Sequence, residues 1–444
     1  MPDQENKVGR YALALIFIGA LGRLLLLVLW PHSSFAPSID ASYSVAAKDF
    51  LRLNFHAWGD RVPAYPLLIA LCGLNLRALW VAQAVLGIAS SLMIFDMAVR
   101  RTRHRLFSLF VGVACSLIPE VLEYEVGVAT EALTGFLLVA SLWLISRWGD
   151  AEEDMVRYPL ALGSVVALAG LTRPLMICLV PVYFCFLVPL WPPAKMLERE
   201  TLKKALFYAL PVVVLIFGWC GFNFFNCGYF SPTTRAGQQL MDQVDPYVSL
   251  APDRFGALRD AWIESRRQAT GAADLINREV YLGALPEMER RTGKTEIQVN
   301  HDLASLALYL EIHHPLLCLR RVEQGWMQFW GQPDPKEVEW PEGGKVGPVE
   351  FVATAAKFLV REFKAAFLVL AFLSSLCVPL RLKVFTRLDY LIFAVAVWVS
   401  VFAAFTEFGE NRRFGVPFYM LLVYTVLTQV WLWIAAASKK DSIE

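Results

Sequence analysis

The stretch TEFGENRRFGVPFY, Thr406 to Tyr419, places Glu407, Glu410 and the adjacent Arg412 and Arg413 between two apolar runs. Forked guanidinium groups match phosphate oxygens, and a partly desolvated carboxylate is suited to general-base work. Residues of both kinds recur beside other apolar runs: Asp40, Glu123, Glu125 and Glu131 among the acids, Arg61, Arg173 and Arg235 among the bases. A cation close to hydrocarbon is costly unless paired or solvated, which makes each arginine a functional candidate. The plainer reading of each is a local ion pair with Glu407, Glu410 or a nearby carbonyl. Taken together, the acids and arginines describe a site for a phosphate-bearing substrate at a membrane surface.

The elements that must position them follow from composition. Of 444 residues, 57% are hydrophobic and 18% charged, with 30 Phe, 14 Trp and 14 Tyr, a balance that belongs to an integral membrane protein. A net charge of +1 provides no general attraction to nucleic acid, so none is expected as a partner. The cysteines lie mostly within apolar runs without metal or disulfide spacing and read as small core residues. Apolar runs of spanning length predict about ten transmembrane helices, near 11–30, 78–99, 106–122, 127–145, 158–171, 175–191, 205–225, 365–380, 388–406 and 414–437. The first reads as a retained anchor and not a cleaved signal. The fold class expected is therefore all-α, with juxtamembrane helices and a helical extracytoplasmic segment.

Lysine and arginine mark cytoplasmic loops. They gather before the first run, in RRTRHR after the second, and after the fourth, sixth, eighth and tenth. Both termini are then cytoplasmic, and the segments 31–77 and 226–364, with the turns around Glu123, Thr172 and Glu410, lie outside. The expected division is an N-terminal membrane core, 1–225, an extracytoplasmic, partly interfacial helical segment, 226–364, and C-terminal membrane helices, 365–444. Within the first outer loop, SIDASYSVAAKDFL reads as an interfacial helix with Asp40 at or near its N-cap. Acceptor recognition is expected in the long outer segment. His301, His313 and His314 there support no defined metal site and read as surface or capping residues. Arg412, about 100° around a helix from Arg413, is expected to pair with Glu407 or Glu410.

An Asp followed by a Tyr in the first outer loop, a Pro-x-Tyr-Pro element at residues 63–66, ATEAL, LAGLTRP, GYFSPTTRAGQQL and a late Arg-x-x-x-Pro resemble the polyprenyl-phosphate-dependent glycosyltransferases of the GT-C fold, among them the protein O-mannosyltransferases and the lipid A aminoarabinose transferases. The resemblance implies an inverting membrane enzyme that moves a sugar from a polyprenyl-phosphate donor to a glycan, lipid or protein acceptor, at the outer face of a bacterial inner membrane. It implies that Asp40 is the catalytic base or an acceptor-orienting group, and that Tyr43, Tyr65 and Glu125 line the substrate cavity. Glu131, counted with the catalytic residues, would have a structural or substrate-orienting role, while Arg173, Arg235, Arg413 and Arg61 would lie by the donor phosphate. Many members carry a second acid beside the first-loop Asp, whereas Ile39 and Ala41 flank Asp40 here. Glu123 or Glu125 would serve instead, and a divalent metal remains a possible cofactor, with none assigned. The competing reading is a lipid or sugar flippase without chemistry; such proteins place charges near the bilayer midplane between internal repeats, whereas here they gather at the outer ends.

Overall fold

In the computed structural model, the described residues are 2–29, 41–54, 61–148, 154–188, 196–269, 273–331, 348–378 and 384–441. The membrane part contains α1 (Pro2–Leu29), α2 (Ala41–Leu51), α3 (Ala64–Leu71), α4 (Leu76–Thr102), α5 (Arg105–Ser116), α6 (Pro119–Val126), α7 (Glu131–Trp148), α8 (Arg157–Thr172), α9 (Leu179–Leu187) and α10 (Arg199–Cys227). Five further helices follow: α11 (Ala236–Val244), α12 (Gly256–Gln268), α13 (Ala273–Thr292), α14 (Glu296–His313) and α15 (Pro315–Trp330). The chain returns through α16 (Pro348–Cys377), α17 (Arg387–Thr406) and α18 (Tyr419–Asp441), the last preceded by a short helical turn, Asn411–Gly415.

The chain is an all-α integral membrane protein, but the expected count of about ten spans is not reproduced. Among the described residues six helices are long and apolar enough to cross a membrane, or seven if the bent pair α5 and α6 counts as one. Proline explains much of the difference, because it disfavours helical geometry in the residue before it. Ile118, before Pro119, is extended (φ −63°, ψ 117°), and α5 and α6 meet at 48°. Arg173, before Pro174, is also extended (φ −148°, ψ 117°) and ends α8 after 16 residues. A 3-10 turn, Pro174–Cys178, then leads into the short α9. In α10 the ladder loosens to a π turn at Val213–Phe217, just after Pro211. Proline has no N–H to offer there, and the wider turn absorbs the gap.

The largest apolar core is built from α4, α5 and α7 to α10, closed by α16 to α18. A second core, from Met241 to Leu310 with Trp262 at 0% exposure, holds α11 to α14 together. Gly237 lets α11 lie directly on α14, since a Cβ there would meet the Asn300 backbone. A third, smaller core joins α2 and α3 to the start of α4 through Tyr43, Ala47, Tyr65, Ile69 and Leu79.

Candidate active site

Three local devices aim the central side chains. Glu131 is the first residue of α7, where the positive end of the helix dipole favours a carboxylate. The Arg173-Pro174 break frees Arg173 from the helical path. Gly409, at φ 111°, occupies backbone space that other residues rarely enter, and it turns the chain between α17 and the Asn411–Gly415 turn that carries Arg413.

These devices converge on one buried ion cluster. Arg173 Nη2 donates to Glu131 Oε1 at 2.9 Å. Arg413 Nε donates to the same oxygen, and its Nη2 reaches Glu131 Oε2 at 3.5 Å. The remaining edge of Arg413 donates to Glu410 at 3.0 Å. Arg173 also lies over the Phe414 ring, 4.6 Å from its centroid. Its Nη1 is buried with no hydrogen-bond partner among the described residues. Glu410, expected as a partner of Arg412, is thus engaged by Arg413.

A platform of aromatic side chains lies beside this cluster. The Tyr65 hydroxyl accepts from the Ala129 amide at 2.7 Å and donates to Gln83 at 2.9 Å. Gln83 in turn donates to the carbonyls of Glu125 and Gly127, so the segment that delivers Glu131 is braced from α3 and α4. Burial pushes the Tyr65 hydroxyl far above its ordinary value, which keeps it a neutral donor. Tyr43 meets Tyr65 edge to face at 5.2 Å, and Arg61 covers the Tyr43 ring at 4.6 Å while donating to Ser42. Asp40 lies outside the described residues, directly before α2.

Other expected site residues are placed differently. Glu125 is turned into the helix core, where Arg23 grips it at 2.6 and 2.7 Å. Glu123 is exposed on α6. Arg235 stands at the start of α11, within electrostatic range of Tyr281 on α13. Among the described residues no group of three or more His, Cys, Asp or Glu side chains is gathered to hold a metal. His301 packs on Tyr229 and His313 stacks on Tyr309.

Two more acids stand next to the cluster, Glu407 from the charged hairpin and Asp242, which the sequence did not single out. Glu407 is half-buried; burial, then Glu410, push its carboxyl up to about 8 against the pull of Arg173, Arg413 and Arg61. Asp242 on α11 is raised in the same direction, by burial first and then by Glu407, Asp245 and Glu410. Only the charged hairpin hinted at Glu407, and nothing in the local pattern around Asp242 marks it.

Residues 64–219 match the sequence model of the dolichyl-phosphate-mannose-protein mannosyltransferase family. That stretch runs from α3 into α10 and contains Tyr65, Glu123, Glu125, Glu131 and Arg173, so the resemblance read from the motifs holds there. Tyr43, Arg61, Arg235 and Arg413 lie beyond it. No curated protein matches the chain in sequence. Among solved structures, the archaeal oligosaccharyltransferase AglB from Archaeoglobus fulgidus, in complex with an inhibitory peptide and a dolichol-phosphate, is similar with a TM-score of 0.45 and 12% identity. The similarity covers 98% of this chain and 51% of AglB, so the chain spans about half the length of that protein.

Proposed function

We propose that the protein is a membrane glycosyltransferase that moves a sugar from a polyprenyl-phosphate donor to an extracytoplasmic glycan, lipid or protein acceptor. The observation that carries the reading is the Glu131-held pair Arg173 and Arg413, with the buried Nη1 of Arg173 unpartnered among the described residues. Glu131 neutralises part of the pair's charge and fixes both guanidinium planes. The unused N–H of Arg173 is then suited to a phosphate oxygen, and Arg413 can exchange its exposed partner, Glu410, for another. The family match over residues 64–219 supports the donor class.

In the reaction proposed, an acceptor oxygen attacks the anomeric carbon from the face opposite the phosphate, and the configuration inverts. The new bond joins carbon to acceptor oxygen. The bond to the phosphate oxygen breaks with its electron pair left on the phosphate, beside Arg173 and Arg413. The acceptor proton passes to the Asp40 carboxylate. Tyr43, Tyr65 and Arg61, which pack on one another, are the side chains proposed to line the place of the sugar. The site is proposed to face the exterior of a bacterial inner membrane.

The test combines donor binding with turnover in nanodiscs containing a polyprenyl-phosphate sugar. One charge-assisted hydrogen bond contributes roughly 1.5–3 kcal/mol, so Arg173→Ala should weaken donor binding about 10- to 150-fold. Asp40→Asn should keep donor binding and lose turnover by about 100- to 10,000-fold, as for removal of a general base. Wild-type donor affinity in a folded Arg173→Ala protein would sink the phosphate assignment.

A further inference from the structure

The far end of the bundle from Glu131 holds a cavity of about 1330 Å³. Helix α7 runs from Glu131 at one end to Trp148 at the other, and Ile145, Ser146 and Trp148 line this space. At roughly 1.5 Å per residue the lining lies about 21–25 Å along the helix from Glu131, so the cavity is distinct from the candidate active site. Pockets for compact small molecules span roughly 300–1,000 Å³; this one is larger.

Its chemistry is two-sided. Val182, Phe186, Leu391 and Ala394 contribute an apolar wall, with Trp398, 44% exposed, at its edge. Arg100, Arg101, Lys204 and Arg387 contribute the polar side, and Glu200 is the acid in the lining. Some of this charge is already matched. Asp96 is shared between Arg100 and Arg147, each at 3.0 Å, and Arg101 contacts Asp389 at 2.7 Å. Arg387 is exposed, and the cations exceed the carboxylates they face.

Two donors are left over inside. The side chain of Arg101 is 8% exposed, and Tyr424 is fully buried. Arg101 Nε and the Tyr424 hydroxyl have no hydrogen-bond partner among the described residues, although both residues line the cavity. Buried donors are costly to leave unpaired, and two of them beside surplus positive charge suit an anion. An adjoining apolar wall of membrane helices suits chains attached to that anion; basic pockets between spanning helices hold lipid headgroups in this way.

We propose that this cavity binds an anionic membrane phospholipid. Its phosphate lies among Arg101, Arg387 and the Tyr424 hydroxyl, and its acyl chains run along Val182, Phe186 and Leu391. The site would couple the lipid composition of one leaflet to the packing of α4, α9, α17 and α18, independently of the transferase reading.

The experiment uses the full-length chain, purified in detergent, stripped of lipid, and titrated with phosphatidylglycerol or phosphatidylcholine while retention is followed by native mass spectrometry and stability by melting. Phosphatidylglycerol should bind about tenfold or more tightly than phosphatidylcholine and raise the melting midpoint. Tyr424→Phe removes a hydroxyl that no described residue engages, and Arg387→Gln alters an exposed rim residue, so both lipid-free variants should melt like wild type. Each should weaken phosphatidylglycerol binding about tenfold. Equal binding of the two lipids, or unchanged phosphatidylglycerol affinity in either variant, overturns the proposal. Inorganic phosphate that stabilises as well as the lipid would show a plain anion site and also overturns it. Affinity for a polyprenyl-phosphate sugar should be unchanged in both variants; a parallel loss would make the cavity part of the donor site instead.

Discussion

At the scale of single residues, the site is governed by how carboxylates share arginines. Glu131 holds two, whereas Glu125 is engaged by Arg23 alone among the described residues, both nearly fully buried. Removing one member of a buried pair strands the other charge, at a cost of about 3–5 kcal/mol. Arg23→Met should therefore destabilise the protein strongly, and adding Glu125→Gln should recover part of that loss, with melting in detergent as the measurement. Lost turnover with full stability in Glu125→Gln would instead return that residue to the substrate cavity. Glu407 makes a different prediction. Its carboxyl is raised from 4.5 to about 8, so the fold holds a proton that the unfolded chain releases, and stability falls as pH rises through that window. Asp242 acts in the same sense. Wild-type melting should drop between pH 5 and pH 8 by more than that of Glu407→Gln, and identical profiles would remove Glu407 as the source.

At the scale of elements, helix breaks and close crossings set the geometry. Both the α5–α6 bend and the early end of α8 follow from a residue forced out of helical space by the proline after it. The core of α11 to α14 depends on the crossing of α11 with α14, where a Cβ on Gly237 would lie 2.7 Å from the Asn300 carbonyl carbon and 2.9 Å from the Ala304 nitrogen. Backbone cannot move aside as a side chain can, so Gly237→Ala should cost at least the roughly 1–3 kcal/mol typical of overpacking. Limited proteolysis should then cut within 236–313 while α4 and α7 stay protected. Wild-type resistance in that variant would show that the crossing is softer than its contacts indicate.

At the scale of the whole molecule, charge is divided between two ends. Glu131, Arg173, Arg413 and Glu410 gather at one, and Arg100, Arg101, Arg147 and Arg387 at the other. If the second end is cytoplasmic, as the distribution of basic residues implies, an impermeant thiol reagent added outside cells should label Lys48→Cys and Glu264→Cys. Arg199→Cys should react only after permeabilisation. The reverse pattern would put the candidate active site in the cytoplasm and remove the extracytoplasmic acceptor from the proposed function.

Local chemistry was enough to establish much of this protein. Long apolar runs required membrane helices, the turn expected around Thr172 falls at the Arg173-Pro174 break, and the hairpin charges marked residues that do cluster, because spans, breaks and turns depend on residues near one another in the chain. Pairing was decided by packing. Glu131 and Arg413 are 282 residues apart and Arg23 and Glu125 are 102 apart, and no periodicity encodes which distant acid an arginine will meet. The same limit explains why the proximity of Arg235 to Tyr281 on α13 and the place of Asp242 carried no signal. The cavity between α4, α9, α17 and α18 is tertiary in the same sense: its apolar wall and its unpaired donors come from helices that meet only in the folded chain.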